Sequence, residues 1–191
     1  MDIEISTPIK SKQQYTRIMI PPHMMNSDIE DNIMIVLQQK VEGKCNKYGF
    51  IEKVHNIEEY KENIIMPENF SGCVTYSVSY LCNIIIPIEN TFIIGNVKNI
   101  TPELVVVMNG PIIIFIPKAN IDSNIWDVSN EFLDRANKTL LKLTDCVRIH
   151  LKKVKINQGD LQIKCIGVLM ERATEDEIKD LFDKKESNFI M

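Results

Sequence analysis

Apolar and polar positions follow different patterns on the two sides of Pro87. Before Pro87, one stretch has apolar residues at helical spacing and several others alternate as strands do, so we predict an α+β domain over residues 1–87. Residues 1–12 follow neither pattern and are expected to be loosely ordered. The polar, acidic residues 56–69 are expected to form an exposed loop. The predicted elements are a strand at Tyr15–Ile20, a helix from Ile29 to Lys40, short strands at Val41–Cys45 and Gly49–His55 around a turn at Asn46–Tyr48, and a long strand at Ser71–Ile86.

After Pro87 the chain contains short strands separated by turn signals such as Asn109-Gly110. Five such strands predict a small all-β barrel of the OB type over residues 88–172. A polar insertion at Ala119–Asp145 interrupts it, and we predict a short helix there near Asn130–Lys138. Residues 173–191 are acidic and begin with a capping-box pattern at Thr174, which predicts a short final helix. The predicted barrel strands are Thr91–Ile100, Leu104–Met108, Ile112–Ile116, Val147–Ile156 and Leu161–Met170.

Bulk composition adds limits on the class of protein. The net charge is −4, hydrophobic residues make up 45% and charged residues 25%, which are ordinary values for a globular chain. No apolar run is long enough to span a membrane, and the acidic N-terminal residues do not resemble a secretory signal, so an intracellular protein is expected. The five cysteines lack CxxC spacing. They are therefore expected to be thiols in a reducing compartment, and no metal or other cofactor is predicted.

The sequence offers little that could carry catalysis. Its three histidines are widely separated, and it contains no phosphate-binding glycine loop and no G-x-S-x-G motif. A nucleophilic pair of Cys146 and His150 is conceivable, but a lone cysteine at the start of an apolar strand is usually part of the core. We therefore predict that the chain is not an enzyme by itself, with a Cys–His enzyme as the open alternative.

The strand at Val147–Ile156 carries an unusual number of basic residues, with the sequence V-R-I-H-L-K-K-V-K-I. Arg148, His150 and Lys152 alternate with apolar residues, and the alternation then shifts by one position, so that Lys153 and Lys155 become the polar members. A shift of this kind indicates a β-bulge. The resulting basic stripe could follow a phosphate backbone without reading bases, or it could simply protect a strand edge.

Aromatic side chains that could stack on bases are few. The barrel strands offer Phe92 and Phe115, and Lys118 follows the third strand directly. Together with the basic stripe they form the candidate set for binding single-stranded nucleic acid, and the resemblance described next implies that this nucleic acid is RNA.

The segment Val41–Ile51 reads V-E-G-K-C-N-K-Y-G-F-I, and the strand that ends at Pro87 follows it after a charged loop. This series of segments resembles the seventh subunit of eukaryotic RNA polymerase II and the corresponding subunit of archaeal RNA polymerase. The resemblance extends over about Tyr15–Met170. It implies a non-catalytic stalk subunit of a multisubunit DNA-directed RNA polymerase that docks on the core near the clamp.

The resemblance also implies which residues contact the polymerase core, although a purely structural hairpin is the other interpretation of the turn. An exposed aromatic residue on a rigid turn suits a protein interface. The implied contacts are Gly43, Lys47, Tyr48, Gly49, Phe50, Ile64, Ile65, Met66 and Pro67.

Partners follow from the same resemblance. It implies binding to the large core subunits, weak and non-specific contact with nascent single-stranded RNA, and a fourth-subunit-like partner on the Ser71–Ile86 strand. The abundance of isoleucine, lysine and asparagine suggests an AT-rich genome, such as that of a large DNA virus or an AT-rich protist. The expected location is the nucleus, or the host cytoplasm and virion if the protein is viral. The alternative is a free-standing OB-fold RNA-binding factor of translation or RNA decay.

Overall fold

A computed structural model describes residues 5–63, 71–127, 132–135 and 138–179. The chain forms two compact units. The sheet unit contains the described residues of Pro8–Ile86 together with Ile156–Leu161. The barrel unit contains those of Pro87–Lys155 and the described residues that precede Pro8 or follow Leu161.

The sheet unit is a four-stranded antiparallel sheet with one helix on one face. Its elements are β1 (Ile9–Ile20), α1 (Ile29–Val41), β2 (Lys44–Cys45), β3 (Phe50–Glu62) and β4 (Val74–Ile85), in the sheet order β1-β4-β3-β2. Acidic residues occupy the first turn of α1, where the helix dipole favours them. The apolar stripe of α1 packs on alternate residues of the strands, which is the pairing that its helical spacing predicts. The buried core consists of Ile18, Ile20, Ile33, Leu37, Ile51, Val54, Val74, Tyr76, Val78, Tyr80 and Cys82.

Two expectations for this unit are wrong. Residues 9–12 are not loosely ordered, because β1 begins at Ile9 and pairs with β4 without a register shift from Ile9 opposite Ile85 onward. Residues 56–62 are not a loop, because β3 continues to Glu62. The pairing of β3 with β4 contains three register shifts, and each shift reverses which side chains face the core. The simple alternation that would have revealed this strand is therefore absent from the sequence.

The barrel unit contains the five predicted strands in a closed barrel. Counting those five strands along the chain, the barrel order is 1-2-3-5-4, and the third and fifth strands are parallel. This is a five-stranded Greek-key barrel of the OB type, which confirms the predicted fold class of an α+β domain followed by an OB barrel. The strands of the unit are β5 (Phe92–Thr101), β6 (Leu104–Asn109), β7 (Ile112–Pro117), β8 (Trp126–Asp127), β9 (Leu133–Asp134), β10 (Thr139–Leu140), β11 (Cys146–Lys155) and β12 (Ile163–Arg172).

The insertion between β7 and β11 differs from expectation. Leu133–Asp134 is a strand of the small sheet β10-β9-β8 rather than part of a helix, and several residues of the predicted helix lie outside the described ranges. Trp126 is fully buried, and its indole Nε1 donates to the Met170 carbonyl at 2.6 Å. Arg172 on β12 places its Nη1 atom 3.3 Å from Asp145 Oδ2 and its Nε atom 3.7 Å from Oδ2 of the buried Asp134. Polar contacts therefore hold the insertion against β12.

The chain after β12 begins as predicted from the capping-box pattern. The Thr174 N–H donates to the Glu177 carboxylate at 2.9 Å, and the Glu177 N–H donates to the Thr174 hydroxyl at 3.4 Å. Residues 175–179 are helical, and the rest of the predicted helix lies outside the described residues. None of the five cysteines forms a disulfide. Among the described residues, no helix has the length and hydropathy needed to cross a membrane.

Candidate protein-docking and nucleic-acid surfaces

Asn46 builds the turn between β2 and β3. Its side-chain Oδ1 accepts hydrogen bonds from the backbone N–H groups of Tyr48 at 2.7 Å and Gly49 at 3.0 Å. Its own N–H donates to the Gly49 carbonyl at 2.8 Å. Asparagine favours turns because its short side chain can satisfy nearby backbone donors in this way. The sequence pattern predicts a turn at this position, but it did not reveal the part that the Asn46 side chain plays in the site.

The turn displays Tyr48 to solvent. This side chain is 52% exposed, and the Lys47 ammonium lies 4.7 Å from the centroid of its ring. Phe50 is half-buried and begins β3, where it lies opposite Cys45 and Ile85. The predicted docking surface therefore has one exposed aromatic residue and one that is partly enclosed by its own fold.

The two glycines of the predicted set shape the backbone. Gly49 is buried, and a Cβ atom there would lie 2.4 Å from the Ile85 carbonyl oxygen. Gly43 has a φ of +70°, which L side chains rarely adopt. Gly49 therefore helps to position the turn, but it is itself buried and not exposed to solvent. The remaining predicted contacts, Ile64, Ile65, Met66 and Pro67, lie outside the described residues.

The basic stripe of β11 contains the predicted bulge. The register of β11 with β12 shifts between Leu151 and Lys153, which confirms the irregularity inferred from the sequence. Lys152, Lys153 and Lys155 are all exposed. Only residues 146–150 of β11 pair with β5, so these lysines lie on the part of β11 that extends past β5. Phosphate contact and edge protection are both compatible with this placement.

Arg148 differs from the three lysines. Its side chain is only 13% exposed, its Nη2 is hydrogen-bonded to Glu177, and its Nη1 lies 3.8 Å from Glu171. Burial by itself would raise the pKa of Glu177, but the Thr174 N–H and the Arg148 guanidinium lower that pKa overall. The expectation that Arg148 is an open member of the basic stripe is therefore not met, because carboxylates of the same chain occupy its guanidinium.

The predicted aromatic residues lie on the outside of the barrel. Phe115 on β7 is half-buried and lies opposite Ile166 of β12, which in turn lies opposite Lys153 of β11. With strands about 4.8 Å apart, Phe115 and Lys153 are about 10 Å apart across the sheet. Ile166 is 41% exposed and was missed, although its place in the alternation of β12 marks it as outward-facing. Lys118 is exposed, in a short 3-10 turn after β7.

Phe92 already has a stacking partner. Its ring lies 4.8 Å from that of His150, at an interplanar angle of 25°. The two residues lie opposite each other on β5 and β11. His150 was noted in the basic strand but was not assigned to the site, because its position across from Phe92 depends on strand register.

The structure does not support a nucleophilic Cys146–His150 pair. Residues four apart on a strand are separated by about 13 Å. The Cys146 thiol donates to the Asn96 side-chain oxygen at 3.0 Å, and burial, followed by the charge of Asp145, raises the pKa of this thiol. A raised pKa disfavours the reactive thiolate.

An α+β sheet unit followed by an OB-type barrel defines a class of β-rich proteins with two compact units. Within that class, residues 16–69 match the family described as "SHS2 domain found in N terminus of Rpb7p/Rpc25p/MJ0397". The chain is 34% identical over 164 residues to the Acanthamoeba polyphaga mimivirus protein named as DNA-directed RNA polymerase subunit L376. This alignment covers 85% of this chain and 82% of the relative.

Two plant proteins are more distantly related. DNA-directed RNA polymerase II subunit RPB7 of Glycine max is 24% identical over 155 residues, and subunit 7 of Arabidopsis thaliana is 23% identical over 155 residues. Each alignment covers 78% of this chain and 85% of the relative. The chain belongs to the Rpb7-type family of DNA-directed RNA polymerase subunits, and its similarity to the mimivirus protein supports a viral member of that family.

Proposed function

We propose that residues 1–87 dock this subunit on the large core subunits of its polymerase near the clamp, and that residues 88–172 guide nascent single-stranded RNA. In this proposal the subunit contributes position and weak binding and performs no chemistry. Membership of a polymerase subunit family favours this role over that of a free-standing translation or decay factor.

The observation that carries the docking proposal is the exposure of Tyr48 on a turn fixed by Asn46. Rigid aromatic side chains lose little conformational entropy when they are buried by a partner, and tyrosine is enriched among residues that dominate interface energies. Lys47 beside the ring adds a positive charge at the edge of this surface. Phe50 supports the turn from β3, and Gly43 and Gly49 give the backbone its path.

The proposal for RNA depends on the outer face of the barrel. Three lysines supply positive charge beside Phe115 and Ile166, and they are Lys152, Lys153 and Lys155. Single-stranded RNA could therefore place its phosphates on the lysines and its bases on Phe115 and Ile166. A chain with net charge −4 has no general attraction for polyanions. The expected binding is therefore weak, non-specific and sensitive to salt.

A fourth-subunit-like partner would bind the face of β4 that points away from α1. β4 is a central strand, paired with β1 and β3, so only its face is available and not its edge. Tyr15 on β1 lies opposite Ser79 and is 67% exposed, which supplies an apolar contact beside that face. With its polymerase, the subunit would act in the nucleus, or in the host cytoplasm and virion.

Substitution Tyr48→Ala tests the docking proposal. We expect affinity purification of the tagged chain, from cells that contain its polymerase, to recover the large subunits about tenfold less efficiently for Tyr48→Ala than for the unchanged chain. The matched control is Ile35→Ala, which shortens an apolar side chain that is 45% exposed on α1 of the same unit. Equal recovery of the large subunits by the Tyr48→Ala and Ile35→Ala chains would contradict the proposal.

A further inference from the structure

Arg148 lies on the outward face of β11, two residues from His150 and therefore about 7 Å from it along the strand. Ile149 between them is fully buried, which places Arg148 and His150 on the same side. His150 stacks on Phe92. A guanidinium beside a stacked pair of rings has the chemistry that holds one nucleotide, with a phosphate on the cation and a base on the rings.

The guanidinium is occupied by carboxylates, but incompletely. Glu177 takes one hydrogen bond at Nη2, and Glu171 lies too far from Nη1 for a hydrogen bond, at 3.8 Å. The Nε atom is buried and has no hydrogen-bond partner among the described residues. A phosphate or carboxylate in the best geometry bonds a guanidinium through two parallel N–H groups. The intramolecular pair therefore leaves donors that an incoming phosphate could use.

The segment that supplies Glu177 makes few polar contacts with β11. Its described attachments to β11 are the Arg148 ion pair and the hydrogen bond from the Ala173 N–H to the Cys146 carbonyl. Thr174, Glu175 and Asp176 are all exposed, whereas Glu177 and Ile178 are half-buried. The capping box between Thr174 and Glu177 is internal to the segment, so it would survive release.

We propose that Arg148 is a latent phosphate-binding residue, that the Glu177 carboxylate occupies the position of the RNA phosphate, and that release of residues 174–179 switches this contact on. The inference rests on the proposed RNA-guiding function and adds its regulation. In the closed form the lysines of β11 bind RNA alone. In the open form Arg148 and the Phe92–His150 pair extend the binding track along the same strand.

The test is fluorescence anisotropy with a fluorescein-labelled single-stranded oligouridylate at several salt concentrations. The proteins are the full chain, Glu177→Gln and a chain that ends after Ala173, each with Arg148 present and with Arg148→Met. We expect the shortened chain to bind about tenfold more tightly at low salt, with Glu177→Gln in between. One added phosphate contact should steepen the slope of log K against log salt by about 0.7. Both gains should disappear with Arg148→Met.

Asp176→Asn is the matched control, because it removes one exposed negative charge from the same helical turn without touching Arg148. A gain in affinity from Asp176→Asn equal to that from Glu177→Gln, or a gain that persists with Arg148→Met, would overturn the inference. Unchanged affinity of both Glu177→Gln and the chain that ends after Ala173 would also overturn the inference. If substitution of the β11 lysines still weakened binding in that case, the proposed RNA function would stand. Absence of binding by every form would overturn both.

Discussion

Single side chains decide the geometry of the Asn46–Gly49 turn. Asn46 accepts from two successive backbone N–H groups, which leaves the turn with few unsatisfied polar atoms and little freedom to move. Gly49 permits the turn to lie against β4, because its missing Cβ makes room for the Ile85 carbonyl. Tyr48 is consequently presented from a fixed backbone, with the Lys47 ammonium beside its ring.

Gly49→Ala should therefore destabilise the sheet unit. The added Cβ would meet a backbone oxygen at 2.4 Å and two isoleucine side chains at 3.0 Å, so the strand itself must shift. We expect a loss of about 1–3 kcal/mol in the free energy of unfolding, measured by denaturant titration. Tyr48→Ala, one residue away and exposed, should change it by less than about 0.5 kcal/mol. Equal stability of the two variants would contradict the packing role assigned to Gly49.

The sequence predicts which side chains of a strand face outward better than it predicts whether those side chains already have a partner within the fold. The outward alternation of β11 correctly indicated its lysines and its bulge. It could not show that Arg148 is paired, because Glu171 and Glu177 reach it from β12 and the segment that follows. Nor could it show that His150 stacks on Phe92, since that contact depends on the register of two strands distant in the sequence.

In the proposed function, RNA binding depends on the bulged end of β11. Replacing Lys152, Lys153 and Lys155 together with glutamine should weaken binding of a single-stranded oligonucleotide and lower its salt dependence. Three lost phosphate contacts correspond to a slope smaller by about 2 in log K against log salt. Fluorescence anisotropy measures both quantities.

A control with the same change in net charge separates a local surface from bulk charge. Lys98, Lys138 and Lys142 are exposed lysines of the barrel unit outside β11. Their combined replacement with glutamine should leave most of the affinity and slope intact. Equal losses in the two triple variants would show that binding depends on bulk charge and would contradict a local RNA-binding surface on β11.

The insertion between β7 and β11 depends on Arg172. This side chain is 29% exposed and lies near Asp134, Asp145 and the ring of Trp126, whose centroid is 5.9 Å away. Arg172→Met would leave the buried Asp134 carboxylate without this cation. We expect the free energy of unfolding, measured by thermal unfolding, to fall by about 3 kcal/mol. Arg135→Met removes an exposed arginine of the same insertion and should cost far less. Similar losses for both would contradict this account.

A strand with one or two register shifts, such as β11, was still predictable as an element, whereas β3, with three shifts, was predicted only over its first half. β7 alternates buried and half-buried residues throughout, and its predicted bounds differ from the observed ones by one residue. β3 has three register shifts against β4, so its polar half resembles a loop in the sequence. The predicted helix in the insertion failed for a different reason: pairing with β8 and β10 overrides the helical preference of a short segment.

At the scale of the whole molecule, the family and the fold agree over most of the chain. The family profile covers residues 16–69, and the mimivirus relative extends the similarity to 85% of the chain. The order of segments in the sequence was sufficient to indicate the polymerase family. It could not indicate the pairing of Arg148 with Glu177, because that contact forms between separate segments of the chain.

Site-specific photo-crosslinking in the assembled polymerase tests the central claim most directly. A photoreactive phenylalanine analogue at position 48 should form a covalent adduct with a large core subunit, identified by mass spectrometry of the cross-linked peptide. The same analogue at position 35, on α1, should not form that adduct. Cross-linking to a large subunit from position 35 but not from position 48, in a polymerase that contains the tagged chain, would contradict docking through the Asn46–Gly49 turn.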